Sequence, residues 1–489
     1  MHTRRPALLA AALLAAASVA EAAALDVEEM LRRNIGRQVW YGVYMGKEKA
    51  GYALTETVAT KVGERDAVEF RIKMRMKLTT LGRKQDMRVF ETRTYLRTGE
   101  FHGATSRMKG EASDVEVSGV VQGGKMVVTS RMGELANSRE LAVPKENLRD
   151  HLAVEQLLLP EAKPGQEVTV SQFEPLLLKE ISQTLTLRER KTITFNGVPT
   201  EVSVIQSRVA ELGVTSDLFV DKEGVPIEFT VSKMFTLRVE PEKQAKDVDY
   251  TSDLLRMGCV RLAAHPKNVA KIRAMRFEML GIDDPELLID DRRQKWADGA
   301  NGARIVACQA AGIEAKQVAM LPVDKARFAE DMKATMFAQA DDERVRKLAS
   351  EIVGEERNAW AAAKAINHWV YTNIRKAGTA ALSNAVETLQ TREGDCTEHT
   401  VLFVALARAA GIPTREVAGV SAIEGGEGLY FHAWPEVWVG EWVATDPTLG
   451  QDVADATHIK FAQGGVGSMF RITGIFGRLK ARILAPAAE

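Results

Sequence analysis

The chain has 489 residues, 45% of them hydrophobic, and a formal net charge of −1. So even a balance excludes bulk attraction to nucleic acid or to an anionic membrane surface. The length allows two or three domains at roughly 150 residues each.

The first 24 residues read as a segment apart from the fold. Arg4 and Arg5 precede an apolar stretch from Ala7 to Ala17, and Ala-x-Ala spacing follows at Ala20–Ala22 and Ala22–Ala24. A charged start, a short apolar run and a small-residue cleavage site predict a secretory signal over residues 1–24. Glu21 keeps the run short for a spanning helix. No other segment is long and apolar enough to span, so the expectation is a periplasmic or secreted protein without a membrane span once the signal is removed.

Residues 25–250 read as an antiparallel β-rich region. Phe70-Arg71-Ile72-Lys73-Met74-Arg75-Met76-Lys77-Leu78 alternates apolar and basic, the period of a half-solvated strand. Similar segments recur over 87–96, 167–173, 180–195, 201–209 and 227–239, with turn signals at Gly123-Gly124, Asn196-Gly197 and Glu223-Gly224. A short helix is expected over Asn147–Leu159, stopped by Pro160 and Pro164. Residues 251–340 are a mixed linking region, with one strand expected over Ile272–Leu280. From Asp341 the pattern turns helical: Val345, Leu348, Ala349 and Ile352 share a face that Gly354 ends. A second helix is expected over Asn358–Lys376. The whole reads as an α+β chain, with residues 341–462 as its second folded region and 463–489 as a C-terminal tail.

The stretch richest in chemistry is Arg392-Glu393-Gly394-Asp395-Cys396-Thr397-Glu398-His399, followed by an apolar run to Ala410 and then Gly411 and Pro413. Asp395 and Glu398 have the spacing of a capping box, and Gly411 with Pro413 marks the stop. Cys396 then opens a helix. There the helix dipole favours the thiolate, and its own backbone N–H is left without an intrahelical acceptor. A base is available in Phe431-His432-Ala433-Trp434-Pro435-Glu436-Val437-Trp438, which reads as a strand paired with Trp442-Val443-Ala444-Thr445-Asp446. A three-residue loop Val439-Gly440-Glu441 sets Trp438 opposite Trp442 and Glu436 opposite Ala444. It also puts His432 on the same face as Asp446, diagonally across at about 7–8 Å between backbones. A two-residue loop would separate them onto opposite faces. Asp446 would fix the tautomer of His432, and His432 would take the thiol proton.

Gly394-Asp395-Cys396-x-Glu398-His399, then Ala410-Gly411-Ile412-Pro413, His432-Ala433-Trp434-x-Glu436-Val437 and Asp446-Pro447-Thr448 together resemble the bacterial transglutaminase-like domain. The resemblance runs from about Asp341 to Ile459, and the tail from Gly450 through Asp455-Ala456-Thr457-His458-Ile459 is similar as well. It implies a papain-like α+β core behind the β-rich region, with Cys396 as nucleophile, His432 as base and Asp446 as orienting acid. It implies an enzyme acting on peptide or isopeptide amide bonds of a protein or peptide substrate, without cofactor. Water as acceptor gives a peptidase or amidase, and an amine gives a cross-linker. A binding or assembly protein of the cell envelope built on the same scaffold is the alternative.

Other residues near these motifs compete for roles. Gln390, Trp369 and Tyr371 are three candidates for a second oxyanion donor beside the Cys396 N–H. His399 lies one turn after Cys396, His368 sits on the preceding helix, and His458 either borders the site or starts a strand. Trp434, Trp438 and Trp442 read as packing against the Cys396 helix. Cys396, His399, His432 and Asp446 lack the paired spacing of a metal centre. Cys259 and Cys308 complete an odd cysteine count. If Cys396 is catalytic, Cys259 with Cys308 is the only compatible disulfide.

Overall fold

The computed structural model describes residues 26–80, 82–110, 114–133, 135–232, 234–250, 252–312, 318–378, 383–464 and 469–484. The expected signal segment lies outside them. Two antiparallel meanders fill the N-terminal half. Eight strands run from Gln38–Met45 to Leu135–Leu141, and six run from Glu167–Glu174 to Phe235–Val239. The first strand of one pairs with the last of the other, Tyr41 opposite Val239 through Met45 opposite Phe235, and this fuses them into one sheet. The apolar–basic alternation works as expected: Phe70, Ile72, Met74, Met76 and Leu78 are buried while Lys73 between them is exposed. The helix expected over Asn147–Leu159 forms as two short pieces, Leu148–His151 and Val154–Leu158. The break at Leu152 seats His151 beside the Tyr95 hydroxyl, 3.3 Å from its Nδ1. Behind them Arg93, almost wholly buried, donates to both Glu146 oxygens at 3.0 Å.

A five-stranded sheet carries the second region. Its order is Cys259–Arg261, Gly428–Trp438, Thr414–Ala422 and Ile459–Gln463, with Trp442–Ala444 also paired to Gly428–Trp438. The Cys396–Ala409 helix packs on this sheet, flanked by helices Glu343–Val353, Ala359–Asn373 and Ala385–Thr391. The helix expected from Asn358 stops at Asn373, because Arg375-Lys376 leaves it to pair with Glu393-Gly394. Residues 274–280 form the strand expected there. They sit in a four-stranded sheet with Gln294–Asp298, Arg304–Gln309 and the C-terminal strand Lys480–Leu484.

The β-rich region meets the second region just ahead of Cys396. Gln85 Nε2 donates to the Gly378 carbonyl at 3.0 Å, and Arg83 pairs with Glu393 at 2.9 Å. The possible Cys259–Cys308 disulfide does not form. All three cysteines are free, because Cys259 lies opposite Tyr430 in one sheet and Cys308 opposite Met275 in another.

Candidate active site

The Cys396 helix starts and stops as its capping residues dictate. The Asp395 side chain accepts from Thr397 N at 2.8 Å, and Glu398 Oε2 accepts from Asp395 N at 2.9 Å, closing the box. Gly411, at φ +84°, ends the run. Gly394 is needed for a steric reason: a Cβ there would lie 2.2 Å from the Glu398 Cβ. Cys396 is thereby held at the first helical position, buried to 5% exposure, with its N–H ahead of the first intrahelical hydrogen bond.

The His432 strand and its partner turn through Val439-Gly440-Glu441. Trp438 is opposite Trp442 and Glu436 opposite Ala444. That register puts His432 and Asp446 on one face, and His432 Nε2 lies 2.7 Å from Asp446 Oδ2. Asp446 is fully buried, and its Oδ1 accepts from the backbone N–H groups of Thr448 and Leu449 at 2.7 and 2.8 Å. With Nε2 given to Asp446, Nδ1 is the ring nitrogen of His432 left for Cys396, whose thiol is near enough to raise the His432 pKa and to have its own lowered in return. The three side chains therefore form a line from thiol to imidazole to carboxylate.

The electrostatics follow from that line. Burial acts to lower the His432 pKa, but the charge and hydrogen bond of Asp446, joined by Cys396, hold it up at about 10. Burial acts to raise the Asp446 pKa, and His432 with His458 more than reverses this, keeping it well below the carboxylate range. For Cys396, burial and the Asp395 carboxylate act upward, while the hydrogen bond and charge of His432 act downward, on the same side as the helix N-terminus. The arrangement can carry a thiolate beside an imidazolium.

The three further donor candidates lie on two of the helices that pack against the Cys396 helix. Gln390 is exposed in the last turn of its helix, which ends at the left-handed Arg392, φ +57°. Trp369 is half-buried, with the Arg392 guanidinium 4.7 Å over its ring. Tyr371 is exposed and lies against Gly450 rather than Cys396. Among the described residues none of the three hydrogen-bonds to Cys396 or His432. The Cys396 N–H at the helix start keeps its place as a donor candidate beside these three.

His399 is buried with Nδ1 2.7 Å from the Asp395 carbonyl and Nε2 3.3 Å from that of Ile374, so it ties the helix start to the preceding segment. His368 is exposed. Trp434 is fully buried, stacked 6.0 Å from His432, and Trp438 packs edge-on to Trp442. Two further residues belong to the site. His458 Nε2 lies 3.0 Å from Asp446 Oδ2, and Arg293, from the linking region, donates to the Ala454 carbonyl at 2.8 Å. Of the two readings of His458, it borders the site, and it stands one residue before the strand Ile459–Gln463. Arg293 had no readable signal, lying about 160 residues from the loop it holds.

Residues 346–447 match the model of the transglutaminase-like superfamily, a span that includes Cys396, His432 and Asp446. An uncharacterized protein of Haemophilus influenzae is 36% identical over 96 residues, and that match covers 19% of this chain and 26% of the relative's length. A crystal structure from Cytophaga hutchinsonii, described as a candidate cysteine protease, aligns at TM-score 0.33 and 19% identity over 45% of this chain and 89% of its own. A β-barrel-like protein from Brucella abortus aligns at TM-score 0.31 and 11% identity over 42% of this chain and 94% of its own.

Proposed function

We propose that this transglutaminase-like domain is a thiol acyl-transfer enzyme in which Cys396 attacks an amide carbonyl, His432 moves the proton and Asp446 holds His432. The observation that carries the reading is the line Cys396–His432–Asp446, with its 2.7 Å imidazole–carboxylate contact and the thiol at a capped helix start. The Cys396 thiolate adds to the carbonyl, and the Cys396 N–H donates to the developing oxyanion. His432 then protonates the departing amine, leaving a thioester. Water, deprotonated by His432, resolves it and returns the thiol.

Hydrolysis of a peptide or isopeptide bond is the preferred outcome, with protein or peptide as substrate. The signal-like residues 1–24 support action in the periplasm or outside the cell. The test is a small electrophilic thiol probe on the mature protein, followed by peptide libraries with and without an added primary amine, read by mass spectrometry. Labelling confined to Cys396, with cleaved products, is expected. Amine incorporation would move the assignment to cross-linking, and an unlabelled Cys396 in folded protein would reduce the domain to a scaffold for binding.

A further inference from the structure

We propose that His458 is a positioning residue for the triad acid: it occupies the second acceptor direction of Asp446 Oδ2 and so fixes the carboxylate against His432. The inference rests on the acyl-transfer reading above. A carboxylate offers about four acceptor directions. Those of Asp446 are taken by Thr448 N and Leu449 N on Oδ1, and by His432 Nε2 and His458 Nε2 on Oδ2. The carboxylate has no direction left in which to rotate or pick up a proton cheaply.

A further carboxylate lies behind the second imidazole. His458 is fully buried, and its Nδ1 lies 3.4 Å from Asp455 Oδ1. Asp455 is fixed in turn by Thr457 N at 2.8 Å, Thr457 Oγ1 at 2.6 Å and Gln451 Nε2 at 2.7 Å. The Arg293 guanidinium pins the loop through the carbonyls of Ala454, Asp455 and His458. Thus Asp455, His458, Asp446, His432 and Cys396 form one series in which acidic groups alternate with imidazoles.

Close approach of two strands makes this possible. Gly419 stands opposite His432 in the sheet, and a Cβ on it would lie 1.9 Å from the Ile459 carbonyl and 2.9 Å from the Trp434 ring. Gly419 lies on the strand between the His432 strand and the one His458 introduces, and without a side chain there Ile459 and the Trp434 ring close directly onto it. Trp434 fills the space between the rings, stacked on His432 and edge-on to His458 at 5.0 Å. A histidine kept only for packing would have no reason to set Nε2 against the Asp446 carboxylate. The charged and titratable groups facing it are Asp446 and Asp455, His432 at 5.7 Å between rings, and Arg293 at its carbonyl. His458 lies outside the matched span 346–447.

The test uses full-length mature protein carrying Cys259→Ser and Cys308→Ser, with iodoacetamide as the probe of Cys396. The rate is followed against pH for the parent, His458→Gln and His458→Leu. Glutamine can still donate to Asp446, and leucine cannot. For His458→Leu the acid-side midpoint should rise by about one pH unit, because Asp446 protonates more readily and releases His432. His458→Gln should restore it. A leucine profile that overlies the parent's overturns the proposal, and so does a glutamine profile as displaced as leucine's, which would mark a packing role. A parent thiol without a depressed midpoint would instead overturn the acyl-transfer reading.

Should His458→Leu fail to fold, the tautomer of His458 in the parent decides. Long-range proton–nitrogen correlation on 15N-histidine-labelled protein should show Nε2 protonated. An unprotonated Nε2 overturns the proposal.

Discussion

Asp446→Asn is the most informative single change. In the native site Oδ1 accepts two backbone N–H groups, and Oδ2 faces two imidazole nitrogens at 2.7 and 3.0 Å. Asparagine has one oxygen for these two sides. If it keeps the backbone bonds, its NH2 group meets the His432 and His458 N–H groups, donor against donor. His432 escapes by shifting its proton to Nδ1, and then has no lone pair for the thiol proton. If the amide flips, two buried backbone N–H groups lose their acceptor at about 1–3 kcal/mol each. Either way the thiolate loses its imidazolium partner, and Cys396 returns toward the free-thiol value of about 8.5. At pH 6.5 a thiol of that pKa is only about 1% ionised, so alkylation should slow roughly 100-fold relative to a fully formed ion pair. Turnover should fall further, toward the roughly 10⁴-fold seen for the same exchange in a serine triad. The assay is iodoacetamide labelling at pH 6.5, with circular dichroism to confirm folding. Asp452→Asn is the control: Asp452 is exposed and accepts from Asn367 Nδ2 at 3.1 Å, so labelling should not change. Equal labelling of Asp446→Asn and parent, or greater harm from Asp452→Asn, would refute the reasoning.

Other outcomes follow from the same geometry. His432 has a folded pKa of about 10 against an ordinary value of 6.5, so its stabilisation is whole below about pH 6.5 and is lost as pH rises toward 10. Melting temperature should fall across that window, and His432→Gln should flatten this alkaline loss. Cys308 is buried with its pKa pushed up to about 12, so native-state labelling followed by mass spectrometry should find it unmodified until the protein is unfolded. Gly394→Ala forces a Cβ into Glu398, so both thermal stability and Cys396 labelling should drop. Lys460 is fully buried between Glu436 at 2.9 Å and Asp291 at 2.5 Å. Lys460→Met removes the cation between them, leaving Glu436 with Arg415 and Asp291 with the N–H groups of Arg293 and Gln294, and should lower stability by about 3 kcal/mol by urea unfolding.

Legibility in the sequence followed the range of the interaction. The ends of the Cys396 helix were readable because caps act within four residues, and Asp395, Glu398 and Gly411 sit where local hydrogen bonding needs them. The His432–Asp446 pairing was readable because one loop length fixes a hairpin's register. The alternation in Phe70–Leu78 foretold a buried face but not its partner. The pairing of Gln38–Met45 with Phe235–Val239, across about 190 residues, left no local trace. Arg293 was invisible for the same reason: its partners are backbone carbonyls, which every residue carries.

The measurement closest to the central claim is the pH dependence of Cys396 alkylation in the Cys259→Ser, Cys308→Ser protein, compared with the same protein carrying His432→Ala. The account predicts a midpoint well below about 8.5 for the parent, returning toward that value without the imidazole. A parent midpoint at or above about 8.5, or one that His432→Ala leaves in place, would contradict it.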